Sequence, residues 1–146
     1  MKTSLSKIFT QFERFAGLHP MIEGFSIAPL TEYVAKDWVY PVMWVDMQGT
    51  SITFNTGEVR ITFPVYILDR VERDFSNYKS VMNSTLLSLN DFYAYYTDNE
   101  CEYGFMFNNS SALTSRAYEF DDIVCGWSMN ILTQVADDRN ESQIPF

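Results

Sequence analysis

Basic side chains are scarce in this 146-residue chain. Ten Lys and Arg stand against nineteen Asp and Glu, a formal charge of −9. A surface that grips nucleic acid needs Lys and Arg at the phosphates, so direct duplex binding is disfavoured, although an acidic wall past which DNA slides is compatible. Histidine occurs once. His19, beside Pro20, has no Cys or Asp placed near it by any motif, so it reads as a solvent-exposed turn residue rather than a catalytic base. The two cysteines, Cys101 and Cys125, fit neither a metal motif nor a disulfide framework. Both read as reduced thiols of a protein made in the cytoplasm, with Cys125 a small core residue among apolar neighbours. The six glycines are scattered: Gly24, Gly49 and Gly104 stand alone and Gly57 precedes no helix, so no phosphate-cradling loop is present. Asp121-Asp122 and Asp137-Asp138 lack calcium-loop spacing and read as solvated turn acids. Glu23, Glu32 and Glu119 could pair as general acid and base in some fold, but no spacing in the sequence brings them together. The expectation is therefore a non-enzyme, with no catalytic, cofactor-binding or metal residue. No apolar run reaches transmembrane length, and residues 1–17 carry Lys2 and Lys7 but no continuous apolar block, unlike a secretory signal. Without export, the glycosylation-type triplets at Asn83, Asn108, Asn109 and Asn140 read as chance matches.

Aromatic residues are abundant: twelve Phe, nine Tyr and three Trp, in a chain 47% apolar. That is enough to bury a real core, and the length suits a single domain, 1–146. Nine Tyr are hard to bury completely, because each hydroxyl needs a partner, and Tyr, Trp and Met are enriched at protein interfaces.

Periodicity supplies the elements. Phe75, Tyr78, Met82, Leu86, Leu89, Tyr93 and Tyr96 recur in steps of three and four, which predicts a long helix over about 74–96, with Val81, Thr85 and Phe92 widening the stripe. Asp74 or Ser76 can cap it, and Thr97-Asp98-Asn99 is expected to end it. Just before it, Val59, Ile61, Phe63, Val65 and Ile67 alternate with Arg60, Thr62, Pro64, Tyr66 and Leu68, a strand with one strongly apolar face. Pro64 demands an outward amide side or a bulge there.

Residues 3–17 predict a first helix striped by Leu5, Ile8, Phe9, Phe12, Phe15 and Ala16. Residues 22–28 predict a weak strand, and 30–39 are ambiguous, with a turn of helix near Thr31–Ala35. Tyr40–Met47 predicts a strand, with Val42 and Trp44 on one face and Met43 and Val45 on the other. Ser51–Phe54 follows, with Thr56-Gly57 a hairpin turn. Glu102–Phe107, Leu113–Phe120 and Ile123–Val135 complete the strands, with Ile123, Cys125, Trp127, Met129 and Ile131 as the last strand's core face. The class is α+β: an antiparallel or mixed sheet with the long helix packed on one face. Leu86 and Leu89 are expected to face the sheet carrying Phe63, Val65, Trp127 and Met129. The polar loop Asn108-Asn109-Ser110-Ser111-Ala112, and a tail over 136–146 that turns apolar at Ile144-Pro145-Phe146, are candidate subunit interfaces ordered by assembly.

One combination is familiar. Ile61-Thr62-Phe63-Pro64-Val65-Tyr66-Ile67-Leu68-Asp69 runs into Tyr78-Lys79-Ser80-Val81-Met82-Asn83-Ser84-Thr85-Leu86. Then come Phe120-Asp121-Asp122-Ile123-Val124-Cys125-Gly126-Trp127-Ser128-Met129-Asn130-Ile131 and an ending in Ile144-Pro145. Over roughly 40–146 this resembles small tail completion or tail terminator proteins of tailed bacteriophages infecting Bacteroides-like hosts, crAss-like phages included. The resemblance implies a virion protein of the neck or tail, in a closed six-fold or twelve-fold homo-oligomeric ring. Such a ring would contact other neck, portal-proximal or tail proteins. Duplex DNA would pass through its lumen without specific binding, and no membrane would be involved. The competing classes are a phage-encoded intracellular interaction module and, less favoured, a small enzyme.

Overall fold

The computed structural model describes residues 5–29, 39–55, 58–103, 106–108, 113–119 and 123–136. In chain order these form α1 (Leu5–Leu18), β1 (Gly24–Ala28), β2 (Val42–Asp46), a 3-10 turn (Met47–Gly49) and β3 (Ser51–Asn55). β4 (Glu58–Val71), α2 (Tyr78–Tyr103), β5 (Met106–Asn108), β6 (Thr114–Glu119) and β7 (Ile123–Ala136) follow. This is the α+β class read from the sequence, with a mixed sheet. The possible helical turn near Thr31–Ala35, the Thr56-Gly57 turn and the tail beyond Ala136 lie outside the described residues.

Two fourteen-residue strands, β4 and β7, form the spine and pair antiparallel along their whole length, from Glu58↔Ala136 to Val71↔Ile123. Each is flanked on its outer side by two short strands in tandem. β4 takes β2 at one end and β3 at the other; β7 takes β6 and β5. β1 adds outside β2 in parallel, the pairing that makes the sheet mixed. Pro64 falls where β4 can tolerate it. On one side it is paired with Asn130, while on the other β2 stops at Val45↔Val65 and β3 begins at Ser51↔Thr62. The 3-10 turn crosses that gap so closely that a Cβ on Gly49 would come within 2.9 Å of the proline Cγ. A residue with no amide to donate thus sits opposite the break between β2 and β3, as a proline inside a sheet requires.

The alternation of β4 sorts two cores. Val59, Ile61, Phe63, Val65 and Ile67 face α1 and α2, together with Met43, Val45, Met129 and Ile131. α1 contributes Ile8, Phe12, Phe15 and Ala16, and α2 contributes Leu89, Phe92 and Tyr96. Phe12 is the hub: its ring centroid lies 5.3 Å from Phe63 and 5.6 Å from both Phe92 and Tyr96. The opposite face, which the sequence marks as the weaker side of β4, carries a second core of Val42, Trp44, Tyr66, Leu68 and Val124. Trp44 lies there with its indole N–H donating to the Ala28 carbonyl at 2.9 Å and its ring stacked on Tyr66 at 4.8 Å.

α2 departs from expectation at both ends and in its facing. It begins at Tyr78, not Asp74, and runs through Thr97-Asp98-Asn99 to Tyr103. Those three residues are weak helix formers, but none removes a backbone donor, and packing overrides modest propensity. Glu102 and Tyr103 therefore belong to the helix, and the expected strand shrinks to Met106–Asn108.

The buried line is Val81, Thr85, Ser88, Leu89, Phe92 and Tyr96. Thr85 and Ser88 can lie on it because their hydroxyls donate back to the carbonyls of Val81 at 2.7 Å and Ser84 at 2.9 Å. Leu86, expected in the core, is rotated to the flank and only half-buried, while Leu87 is exposed. Trp127 is also half-buried; it packs at the core's margin and ties α2 to the sheet by donating its indole N–H to the Met82 carbonyl at 2.9 Å. Phe63, Val65, Leu89 and Met129 are buried as expected. Leu89→Ala should then cost about 2–5 kcal/mol, and Leu86→Ala clearly less, because only the first opens a closed cavity. Urea denaturation of both variants checks the facing, and equal losses would contradict it.

Candidate functional site

Sequence reading placed candidate interfaces at 108–111 and 144–146. Asn108 is no loop residue: it ends β5, paired with Leu132 of β7. The strand expected over Glu102–Phe107 runs instead over Met106–Asn108, and the polar composition of Asn108–Ala112 assigns its last residue to the loop. Asn109, Ser110, Ser111, Ile144, Pro145 and Phe146 lie outside the described residues.

Apolar surface concentrates elsewhere. The first place is a pocket of about 350 Å³ lined by Phe75, Tyr78, Ala117, Tyr118, Ile123 and Cys125. It lies on the helix side of the sheet, between the start of α2 and the edge strand β6. Its lip is Phe75, 52% exposed, and Tyr78, 38% exposed, with their rings edge to face at 6.0 Å. The floor includes the Cys125 thiol, which is buried, and burial pushes its pKa up, away from reactive thiolate.

The loop holding Phe75 is tightly braced. Asn77 Oδ1 accepts from the Glu72 amide at 2.8 Å, and its Nδ2 donates to the Arg70 carbonyl at 3.2 Å. Asp74 Oδ1 accepts from the Ser76 amide at 3.0 Å, and those bonds to Ser76 hold the Asp74 carboxyl below its ordinary pKa. Within this frame Phe75 adopts a φ of 60°. A bulky side chain in the left-handed region costs on the order of 1–2 kcal/mol and persists only where its surroundings impose it.

The second place is a pocket of about 360 Å³ lined by Phe15, Leu18, His19, Pro20, Met21, Asp91 and Tyr95. Leu18 is 65% and Met21 50% exposed. His19 is not the solvent-exposed turn residue expected. Its Nε2 meets Asp91 Oδ2 at 2.9 Å, and its Nδ1 accepts from the Met21 amide at 3.2 Å, so the ring clamps the end of α1 to α2. A third exposed apolar pair, Ile52 and Phe54, lies on the edge strand β3.

On the sheet's other face, Arg116 of β6 donates from Nε to Ser128 Oγ at 2.9 Å, and its guanidinium carbon lies 5.7 Å from the Tyr66 ring centroid. Burial, then the neighbouring Tyr118, pushes the Tyr66 hydroxyl up to about 12. This face carries an aromatic layer in which Tyr66 lies between Trp44 and Tyr118, at 4.8 and 6.4 Å between ring centroids. Among the described residues no three His, Cys, Asp or Glu side chains cluster as metal ligands, and no helix is long and apolar enough to cross a membrane.

No family model, curated protein or solved structure matches the chain. The pocket at Phe75 escaped sequence reading because Phe75 and Tyr78 fit the helical stripe by spacing. The contrary signal is Asp74-Phe75-Ser76-Asn77: three residues whose side chains bond nearby backbone surround the phenylalanine, a composition that favours a turn over a helix start.

Proposed function

We propose that this chain is a structural protein of a tailed bacteriophage virion, a ring subunit at the head–tail junction or the top of the tail that surrounds the DNA conduit. The observation that carries the reading is the separation of its exposed apolar surface into non-equivalent places. A ring of identical subunits is closed by heterologous contacts, in which one patch meets a different patch on the next copy. The lip at Phe75 and Tyr78 and the lip at Leu18 and Met21 are two such patches on different elements. The overall charge of −9 suits a conduit, since fixed negative charge near phosphates repels only within about 10 Å at 0.1 M salt and keeps a wide pore from sticking.

The test is mass in solution at high concentration together with negative-stain images, with duplex binding measured at low salt. Closed rings of six or twelve copies without measurable affinity for random duplex are expected. A monomer, or micromolar duplex affinity that falls steeply with salt, would return an intracellular interaction module to first place.

A further inference from the structure

We infer that the pocket framed by Phe75, Tyr78, Ala117, Tyr118, Ile123 and Cys125 receives the Ile144-Pro145-Phe146 segment of a second copy of this chain. The inference rests on the ring reading and names the contact that would propagate the ring. Three observations converge on it. The first is the lip. Phe75 keeps a left-handed backbone, braced by Asp74 and Asn77, yet its ring is half exposed beside an apolar floor. Strained backbone clusters at binding positions, and here it holds an apolar ring at the surface.

The second is reach. β7 ends at Ala136, and Ile144 to Phe146 follow within ten residues. Fully extended, ten residues span at most about 33–36 Å. From Ala136 back along β7 to Cys125 is already roughly 36 Å, and to Ile123 roughly 43 Å, at about 3.3 Å per residue. To come back along β7 to its own pocket the chain would also have to reverse direction, which spends residues without gaining distance. A chain's own Ile144-Pro145-Phe146 therefore falls short of its own pocket, and a second copy is the source that fits.

The third is chemistry. The segment is apolar at its end but preceded by Asp137, Asp138 and Glu141. The described residues that line the Phe75 pocket carry no charge, which suits the apolar Ile144-Pro145-Phe146 end of the segment. A volume of about 350 Å³ holds one or two large apolar side chains, the scale of Ile144 and Phe146.

The experiment uses full-length chains carrying Cys101→Ser and Cys125→Ala, with Tyr78→Cys in one population, Phe146→Cys in a second and both in a third. The first two are mixed and mildly oxidised, and the third is oxidised alone at high dilution. A disulfide joining the two mixed populations is expected. In parallel, Phe75→Asn removes the lip ring while placing a residue tolerant of positive φ there. It should leave the melting temperature unchanged or raised, and raise the concentration needed for assembly at least ten-fold. A Tyr78–Phe146 disulfide formed only within one chain carrying both cysteines would overturn the inference. So would no disulfide, or assembly of Phe75→Asn like the wild type. Wild-type rings in images without the cross-link would leave the ring reading standing alone. The cross-link in open chains or dimers would leave the pocket contact standing without the ring.

Discussion

Phe12→Ala is expected to lower stability by about 3–5 kcal/mol, the upper range for loss of a buried aromatic ring. Phe12 is fully buried, and its ring meets both the sheet and α2. Its ring meets Phe63 on the sheet nearly perpendicular, at 89°, and Tyr96 on α2 at 86°. Edge-to-face pairs contribute about 0.5–1.5 kcal/mol each beyond their burial, so the truncation removes several at once. The surrounding walls are strand and helix backbones that cannot collapse inward, so the cavity should persist. Chemical denaturation against Phe9→Ala, at a half-buried position that touches Phe63 from 6.1 Å, measures the difference. A loss for Phe12→Ala no larger than for Phe9→Ala would mean that α1 is not integral to the core.

Gly126→Ala is expected to cost on the order of 3 kcal/mol or more, or to prevent folding, although it adds one methyl group. Gly126 is paired with Leu68 in the central ladder. A Cβ there would run into the carbonyl oxygen of Ile67 and lie 3.0 Å from both the Ile67 carbonyl carbon and the Leu68 Cα. These are backbone atoms of the neighbouring strand, so no side chain can swing aside, and only parting β4 from β7 makes room. The matching control is Gly17→Ala near the end of α1, where nothing lies within 4 Å of the new methyl. That change should be neutral or stabilising by up to about 1 kcal/mol, since alanine is the better helix former. Thermal melts of the two variants, with opposite signs expected, decide whether the glycine serves close strand approach.

Much of this fold is written in period-two patterns that survive any packing arrangement. Val59 to Ile67 and Ile123 to Ile131 each announce a strand and its inner face, and the Ile8, Phe12 and Phe15 stripe announces α1. What could not be read depends on partners distant in sequence. The parallel pairing of β1 with β2 has no local signature. The second core was hidden because Val42, Trp44, Tyr66 and Leu68 look like the tolerable outward side of an amphipathic strand until Val124 arrives from β7. Facing in α2 was misjudged because Ser88 counts as polar in any stripe and spacing sets Val81, Thr85 and Phe92 at its edge rather than its centre, yet the Thr85 and Ser88 hydroxyls are satisfied by their own helix. The interface candidates drawn from the polar loop include Asn108, which is a strand end, while the exposed lip of Phe75 and Tyr78 belongs to residues that spacing places on the apolar stripe of α2.

The full-length pairing of β4 with β7 also sets the order in which the protein can be made. Every rung of that ladder joins residues roughly 50 to 80 positions apart, with α2 and two further strands between them, so its closure carries a large loop entropy before any contact repays it. β3 with β4 and β6 with β7, by contrast, are local hairpins. On the ribosome, β4 leaves the exit tunnel long before its partner exists, with Phe63, Val65 and Ile67 on one face and Leu68 on the other still uncovered. Folding should accordingly be slow for a chain of this size, in the millisecond-to-second range of non-local β topologies. Until residues 123–136 emerge, the nascent chain presents the adhesive strand that chaperones exist to shield.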